Sequence, residues 1–95
     1  MLNKRIRELR ISHGLNQVEL AKKLSVTKQT VSNWENNNIQ PSIDMLIKIA
    51  DCFLVSTDYL LGRSDKLTIC VDGLNATEIA HIEQLVQDLK NKNKS

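Results

Sequence analysis

Residues 16–35 read NQVELAKKLSVTKQTVSNWE, and this stretch decides the fold. Asn16 is a favoured N-cap because its short side chain can accept a hydrogen bond from a backbone N–H that a new helix leaves unsatisfied. Glu19, three positions on, completes a capping box. The segment from Gln17 to Leu24 then places Leu20, Ala21 and Leu24 on one helical face. Ser25 and Val26 leave room only for a very short turn. Thr27 caps a further helix, about Lys28 to Asn36, which turns Val31 and Trp34 inward.

The flanks extend the same pattern. On the N-terminal side, NKRIRELRISH (3–13) reads as helix one, with Ile6, Leu9 and the following Leu15 as apolar anchors and Gly14 as its stop. On the C-terminal side, NNNIQP (36–41) is a polar loop in which Pro41 limits helix extension. Ser42 caps helix four, Ile43 to Phe53, rich in Ile43, Leu46, Ile47, Ile49, Ala50 and Phe53. Ser56 caps a short helix five through Leu61, and Gly62 ends it. Residues 1–62 are therefore expected to form five short helices around one small core, a unit of marginal size that can fold alone. Helices two and three match a helix-turn-helix in length and spacing.

Beyond this head, RSDK (63–66) is expected to be a hinge. LTICVDG (67–73) alternates, with Leu67, Ile69 and Val71 on one side and Thr68 and Cys70 on the other, which predicts a short β-strand ended by Asp72-Gly73. Asn75 and Glu78 form another capping box, opening a last helix over about Ala76 to Lys90. Ile79, Ile82, Val86 and Leu89 form its apolar stripe, and Leu85 widens it. The polar end NKNKS (91–95) is expected to fray. A lone strand and a lone amphipathic helix cannot bury their apolar faces by themselves. Residues 67–95 are thus expected to dimerise, strand beside strand and helix against helix, with packing back onto the chain's own core as the alternative.

Composition narrows the function. The 95 residues allow one small domain with an appendage and exclude two full-sized cores. Aromatic residues at 3% leave little for a base-stacking platform. The net charge of +2 conceals an uneven distribution: residues 1–42 carry +4, while residues 43–66 and 67–95 each carry −1. The first part is the candidate polyanion-facing surface. Cys52 and Cys70 are too few for a disulfide scaffold and are expected to be buried free thiols. His13 and His81 stand at no metal spacing from them, so neither a metal nor a cofactor is expected. Nothing reads as a Walker loop or as a Cys–His pair with an orienting acid, which argues against an enzyme. His13 reads as a helix-end residue, and His81 as exposed beside the apolar stripe. No apolar stretch reaches transmembrane length and no cleavable leader is evident, so a cytoplasmic protein without membrane contact is expected.

Residues 4–62 resemble the Cro/C1-type helix-turn-helix family of phage repressors and small bacterial transcriptional regulators. The resemblance rests on Gln17, Leu20-Ala21, Leu24, Val31, Trp34-Glu35, Asn36, Pro41 and the closing DYLLG (58–62), in that order. It implies an all-α, five-helix, lambda-repressor-like DNA-binding domain. One position departs from the family pattern: Ser25 stands where the turn usually starts with Gly, and either adopts a left-handed backbone at some cost or shifts the turn slightly.

The resemblance further implies that helix three enters the major groove of double-stranded DNA while helix two lies across the backbone. Lys28, Gln29 and Asn33 are then the base-reading residues, with Ser32 at the groove edge. Gln and Asn suit adenine and Lys suits guanine. Asn16, Gln17, Thr30, Asn36, Asn38 and Lys22 become phosphate candidates, with Lys4, Arg5 and Lys23 behind them. Arg10 and Glu35 occupy the positions of a salt bridge between helix one and the end of helix three. The expected function is a sequence-specific regulator, a homodimeric repressor on a palindromic operator, with a regulatory protein as a further possible partner. The alternative is an antitoxin-like or protein–protein interaction subunit whose C-terminal segment binds a different chain.

Overall fold

The computed structural model describes residues 1–94. Its elements, in chain order, are α1 (Leu2–Ser12), α2 (Gln17–Leu24), α3 (Lys28–Glu35), α4 (Ile43–Phe53), α5 (Thr57–Leu60) and α6 (Ala76–Asn93). Each helix after the first starts at a side-chain cap. The carboxamide of Asn16 accepts from the Glu19 N–H at 2.8 Å, and the Glu19 carboxylate accepts from the Asn16 N–H at 2.9 Å. Thr27, Ser42 and Ser56 cap α3, α4 and α5 through their hydroxyls. Asn75 and Glu78 repeat the reciprocal box at α6.

The first five helices close around Ile6 and Leu9 of α1, Leu20, Ala21 and Leu24 of α2, Val31 and Trp34 of α3, Ile49, Ala50 and Phe53 of α4, and Leu60 of α5. Ile6, Leu20, Val31, Ile49 and Leu60 are fully buried. Such side chains contribute roughly 1.5–3 kcal/mol each relative to exposure. The isoleucines of α4 divide. Ile49 is inward, whereas Ile43 and Ile47 on the opposite face stay exposed.

Ser25 takes the left-handed conformation, with φ 58° and ψ 40°, and its N–H bonds to the Lys22 carbonyl at 3.2 Å. A non-glycine residue there costs about 1–2 kcal/mol. Glycine would relieve that strain and give back part of it as unfolded-chain entropy. We predict that Ser25→Gly stabilises the fold by about 0.5–1 kcal/mol, read as a rise of a few degrees in the thermal midpoint. An unchanged or lower midpoint would contradict the strain.

The expected β-strand over Leu67, Ile69 and Val71 does not form; the described residues contain six helices and no strand. A ladder needs a neighbouring strand to receive its N–H and C=O groups, and the described residues supply none. The segment instead leans on the helical head. The Cys70 N–H meets the carbonyl of Leu54, itself left-handed at φ 56°, at 3.4 Å. Leu67 and Ile69 line a recess of about 170 Å³ together with Leu9, His13, Phe53 and Val55. They remain more than half exposed. Cys70 is consequently exposed rather than buried, while Cys52 is half-buried, and both are free thiols.

The last helix continues through Asn93, three residues past the expected end. Of the end expected to fray, Ser95 lies outside the described residues. No residue of α6 is buried.

Candidate nucleic-acid interface

The buried face of α3 dictates what its other face presents. Val31 and Trp34 are held in the core against α2 and α1, which rotates Lys28 and Gln29 fully outward. Thr30, Ser32 and Asn33 sit half-buried on the flanks of that surface. Ala21 is small and buried beside this packing. A larger residue there would overpack a filled interior.

The outward side chains are partly organised by one another. Gln29 donates through Nε2 to Asn33 Oδ1 at 3.1 Å, a link across one helical turn. Asn36 donates through Nδ2 to the Ser32 hydroxyl at 3.3 Å. The hydroxyls of Thr27 and Thr30 lie 2.8 Å apart at the start of α3. Lys28, Gln29, Ser32 and Asn33 therefore share one surface, with Lys28 at the N-terminal end of the helix.

The candidate phosphate residues are not all equally available. Lys22, Asn36 and Asn38 are exposed. The Asn16 side-chain oxygen is engaged in its cap. Gln17 is half-buried and turns its amide inward, donating from Nε2 to Glu35 Oε1 at 3.2 Å. Of the further basic candidates, Arg5 is tied to Tyr59 and the linker.

Beneath this surface lies the expected ion pair. Arg10 Nε is 2.7 Å from Glu35 Oε2, and Nη2 donates to Oε1 at 3.0 Å, a two-pronged match of guanidinium to carboxylate. Nη1 donates to the Leu15 carbonyl at 2.8 Å, so one side chain ties α1, the α1–α2 turn and the end of α3. The hydrogen bond to Glu35 makes Arg10 more basic, with Coulomb attraction adding and partial burial opposing. Glu35 thus lies under the surface with its charge matched, rather than facing outward.

Several partners were missed at the level of sequence. Asn3 donates to the Glu35 carbonyl at 3.4 Å, and Lys48 Nζ donates to the Leu24 carbonyl at 2.7 Å, satisfying the C-terminal end of α2. These join residues 24 to 32 positions apart, and no local spacing marks them. His13 sits at the end of α1 with its ring 4.8 Å from that of Phe53, and His81 is exposed. Among the described residues, no group of His, Cys, Asp and Glu could hold a metal ion. Among them, too, no buried side-chain nitrogen or oxygen lacks a hydrogen-bond partner, and no helix is long and apolar enough to cross a membrane.

Residues 6–60 match the family model described as helix-turn-helix, which spans more than half of the chain. The chain belongs to the helix-turn-helix family. As a member of it, the protein is a sequence-specific DNA-binding transcriptional regulator and not an enzyme. It is 36% identical over 93 residues to the HTH-type transcriptional regulator ImmR of Bacillus subtilis (strain 168), covering 96% of this chain and 69% of ImmR. The structure is similar to that of SinR, the master regulator for biofilm formation, in complex with DNA. That similarity has a TM-score of 0.60 at 37% identity, over 64% of this chain and 98% of the other. A chain of the SinR protein/SinI protein complex is similar over 100% of this chain and 84% of its own length, with a TM-score of 0.62 at 31% identity. The helix-turn-helix of the family is here α2, the Ser25–Thr27 turn and α3.

Proposed function

We propose that this helix-turn-helix regulator is a homodimeric repressor that reads a palindromic operator through the major groove. The observation that carries the reading is the outward face of α3, where Lys28 stands beside a linked Gln29–Asn33 pair over a fully buried Val31. Lys28, Gln29 and Asn33 read base edges, and Ser32 serves the groove edge. Lys22, Asn36 and Asn38 meet phosphates from the rim, as do Thr30 and the N-terminus of α2 at Asn16 and Gln17. Arg10 and Glu35 hold the reading surface in place. The similarity to a DNA-bound SinR supports this use of the surface.

One recognition helix buries too little surface for high affinity, so two copies on half-sites about one helical turn apart fit the physics. The exposed stripe of α6 supplies the contact: Ile82, Leu85, Val86 and Leu89 are 37–57% exposed, with half-buried Ile79 beside them. Leu67, Ile69 and Val71 add apolar area at its base. Occupied, the operator excludes polymerase. The protein works in the cytoplasm, where the DNA is.

A second reading draws on the likeness to a chain of the SinR–SinI complex over the whole length of this one. In it, the C-terminal segment binds a different regulatory protein, which competes with the second copy for α6.

Binding-site selection from random duplex DNA, read beside the mass in solution, tests the proposal. A palindrome selected by a dimer is expected; no enriched sequence from a folded protein contradicts it. We predict that Lys28→Ala, Gln29→Ala and Asn33→Ala each relax preference at particular base positions, at about 1–3 kcal/mol apiece. Gln29 and Asn33 share a hydrogen bond, so the double variant should cost less than the sum. Lys22→Ala should weaken all sequences alike and lower the salt slope by about one.

A further inference from the structure

We infer that Arg5 is a specificity-determining residue of the operator, acting through half-site spacing rather than through contact with DNA. The inference rests on the proposed homodimer. Arg5 lies on α1 between residues of the head and the start of the linker. Its guanidinium carbon is 4.0 Å from the centre of the Tyr59 ring. Nη1 donates to the Tyr59 carbonyl at 2.6 Å and to the Ser64 carbonyl at 3.1 Å. Nη2 lies 3.6 Å from the fully exposed Asp65 carboxylate, a contact that solvent weakens. The Arg5 side chain itself is only 14% exposed. An Arg engaged on both sides in this way is spent within the molecule and is not presented to a phosphate.

The clamp acts where the chain leaves the head. Gly62 ends α5 at φ 76°, with its N–H on the Tyr59 carbonyl at 3.1 Å, and the Arg63 N–H bonds to the Asp58 carbonyl at 2.9 Å. Arg5 then holds Ser64, and the next anchor is Cys70 on Leu54. Arg63 and Ser64 are thus bonded to the head, whereas Lys66 bonds only within the linker, to the Ser64 hydroxyl at 3.3 Å. Arg5 is adjacent in sequence to Ile6, which is fully buried in the same core as Val31 of α3. The reading surface is thus connected to Ser64 through the packed core and the Arg5 side chain.

The length of the linker sets the size of the effect. A free four-residue linker has a root-mean-square reach of roughly 10–12 Å. That is about three base-pair steps of 3.4 Å, enough to make a dimer tolerant of half-site spacing. Arg5 at Ser64 and the Leu54 carbonyl at Cys70 together shorten the free path, so releasing Arg5 returns part of that tolerance.

The test uses the full chain as wild type, Arg5→Ala and Arg5→Lys, with two measurements. The first is the rate of trypsin cleavage after Arg63 and Lys66, which requires no DNA. Release of the strap in Arg5→Ala is expected to raise it about tenfold. The second is affinity for the wild-type-selected operator with one or two base pairs added or removed between half-sites. Wild type should lose on the order of 10²-fold when the spacing is wrong, because the second head no longer binds as part of the same molecule. In Arg5→Ala that penalty should shrink to a few-fold while the preferred bases of each half-site stay the same. Arg5→Lys keeps the charge but not the planar fork, so it should fall between the two; if Arg5→Ala does not fold, it alone decides. A loss equal at every spacing, with a shallower salt slope and wild-type cleavage, would make Arg5 a phosphate contact and overturn the inference. Wild-type cleavage and spacing penalty in Arg5→Lys, or a wild type indifferent to spacing, would overturn it too. Failure of wild type to select any palindrome is a separate result that removes the dimer reading, while the cleavage rates still report on the clamp.

Discussion

Replacing Arg10 with Ala is expected to destabilise the fold by about 3–5 kcal/mol, the range for removing one partner of a buried ion pair. The Arg10 and Glu35 side chains are 13% and 4% exposed. Without Arg10, a carboxylate stays beneath the protein surface with the Gln17 amide as its remaining side-chain donor, and the Leu15 carbonyl loses the guanidinium as well. Small domains hold about 5 kcal/mol or slightly more in total, so the variant would be close to unfolding at body temperature. Its thermal midpoint should fall by more than about 12 °C. Base preference, measured in the cold on the fraction still folded, should stay unchanged, because Arg10 lies behind α3 and not on its outward face. The double change Arg10→Met with Glu35→Leu should recover most of the loss, since an apolar pair of similar size needs no desolvation of charge. A melting curve unaltered by Arg10→Ala, together with a lost footprint, would move Arg10 from the scaffold to the DNA contact.

The second large effect concerns α6. Ile82→Asp combined with Val86→Asp should convert the dimer to a monomer and weaken binding to the full palindrome by about 10²–10⁴-fold. Both residues are substantially exposed in the single chain, at 37% and 41%, so the head should melt as before. Affinity for an isolated half-site should not change, and the salt slope on the palindrome should drop by about half as half the phosphate contacts are lost. The check is mass in solution beside a titration on both DNAs. A double variant that remains dimeric and still binds the palindrome would show that the two copies meet elsewhere, and α6 would then be left for a different protein partner.

Features that depend on residues close in sequence were legible. The caps at Asn16, Thr27, Ser42, Ser56 and Asn75 are bonds to a backbone N–H three positions away, and all five form. The inward placement of Leu20, Ala21, Leu24, Val31 and Trp34 follows from helical periodicity, and with it the outward placement of Lys28 and Gln29. The strand failed for the opposite reason. The alternation of Leu67, Ile69 and Val71 is local, but a strand exists only if a distant segment or another molecule accepts its hydrogen bonds. Among the described residues that partner is lacking, and the segment's bond to the head is instead the Cys70 N–H on the Leu54 carbonyl.

Arg5 marks the boundary most clearly. In sequence it is one of four cations in residues 1–10, indistinguishable from Lys4 or Arg7 as a surface charge. Its partners Tyr59 and Ser64 lie 54 and 59 positions away, and only the packing of α1 against α5 brings them within reach. Sequence alone therefore determined the helices, their caps and which face of α3 is turned outward, because backbone geometry couples residues three or four apart. Tertiary structure alone decided that residues 67–71 form no strand, that Gln17 serves Glu35, and that Arg5 reaches the Ser64 carbonyl. Each of these depends on groups far apart in the chain, which become neighbours only when the core closes.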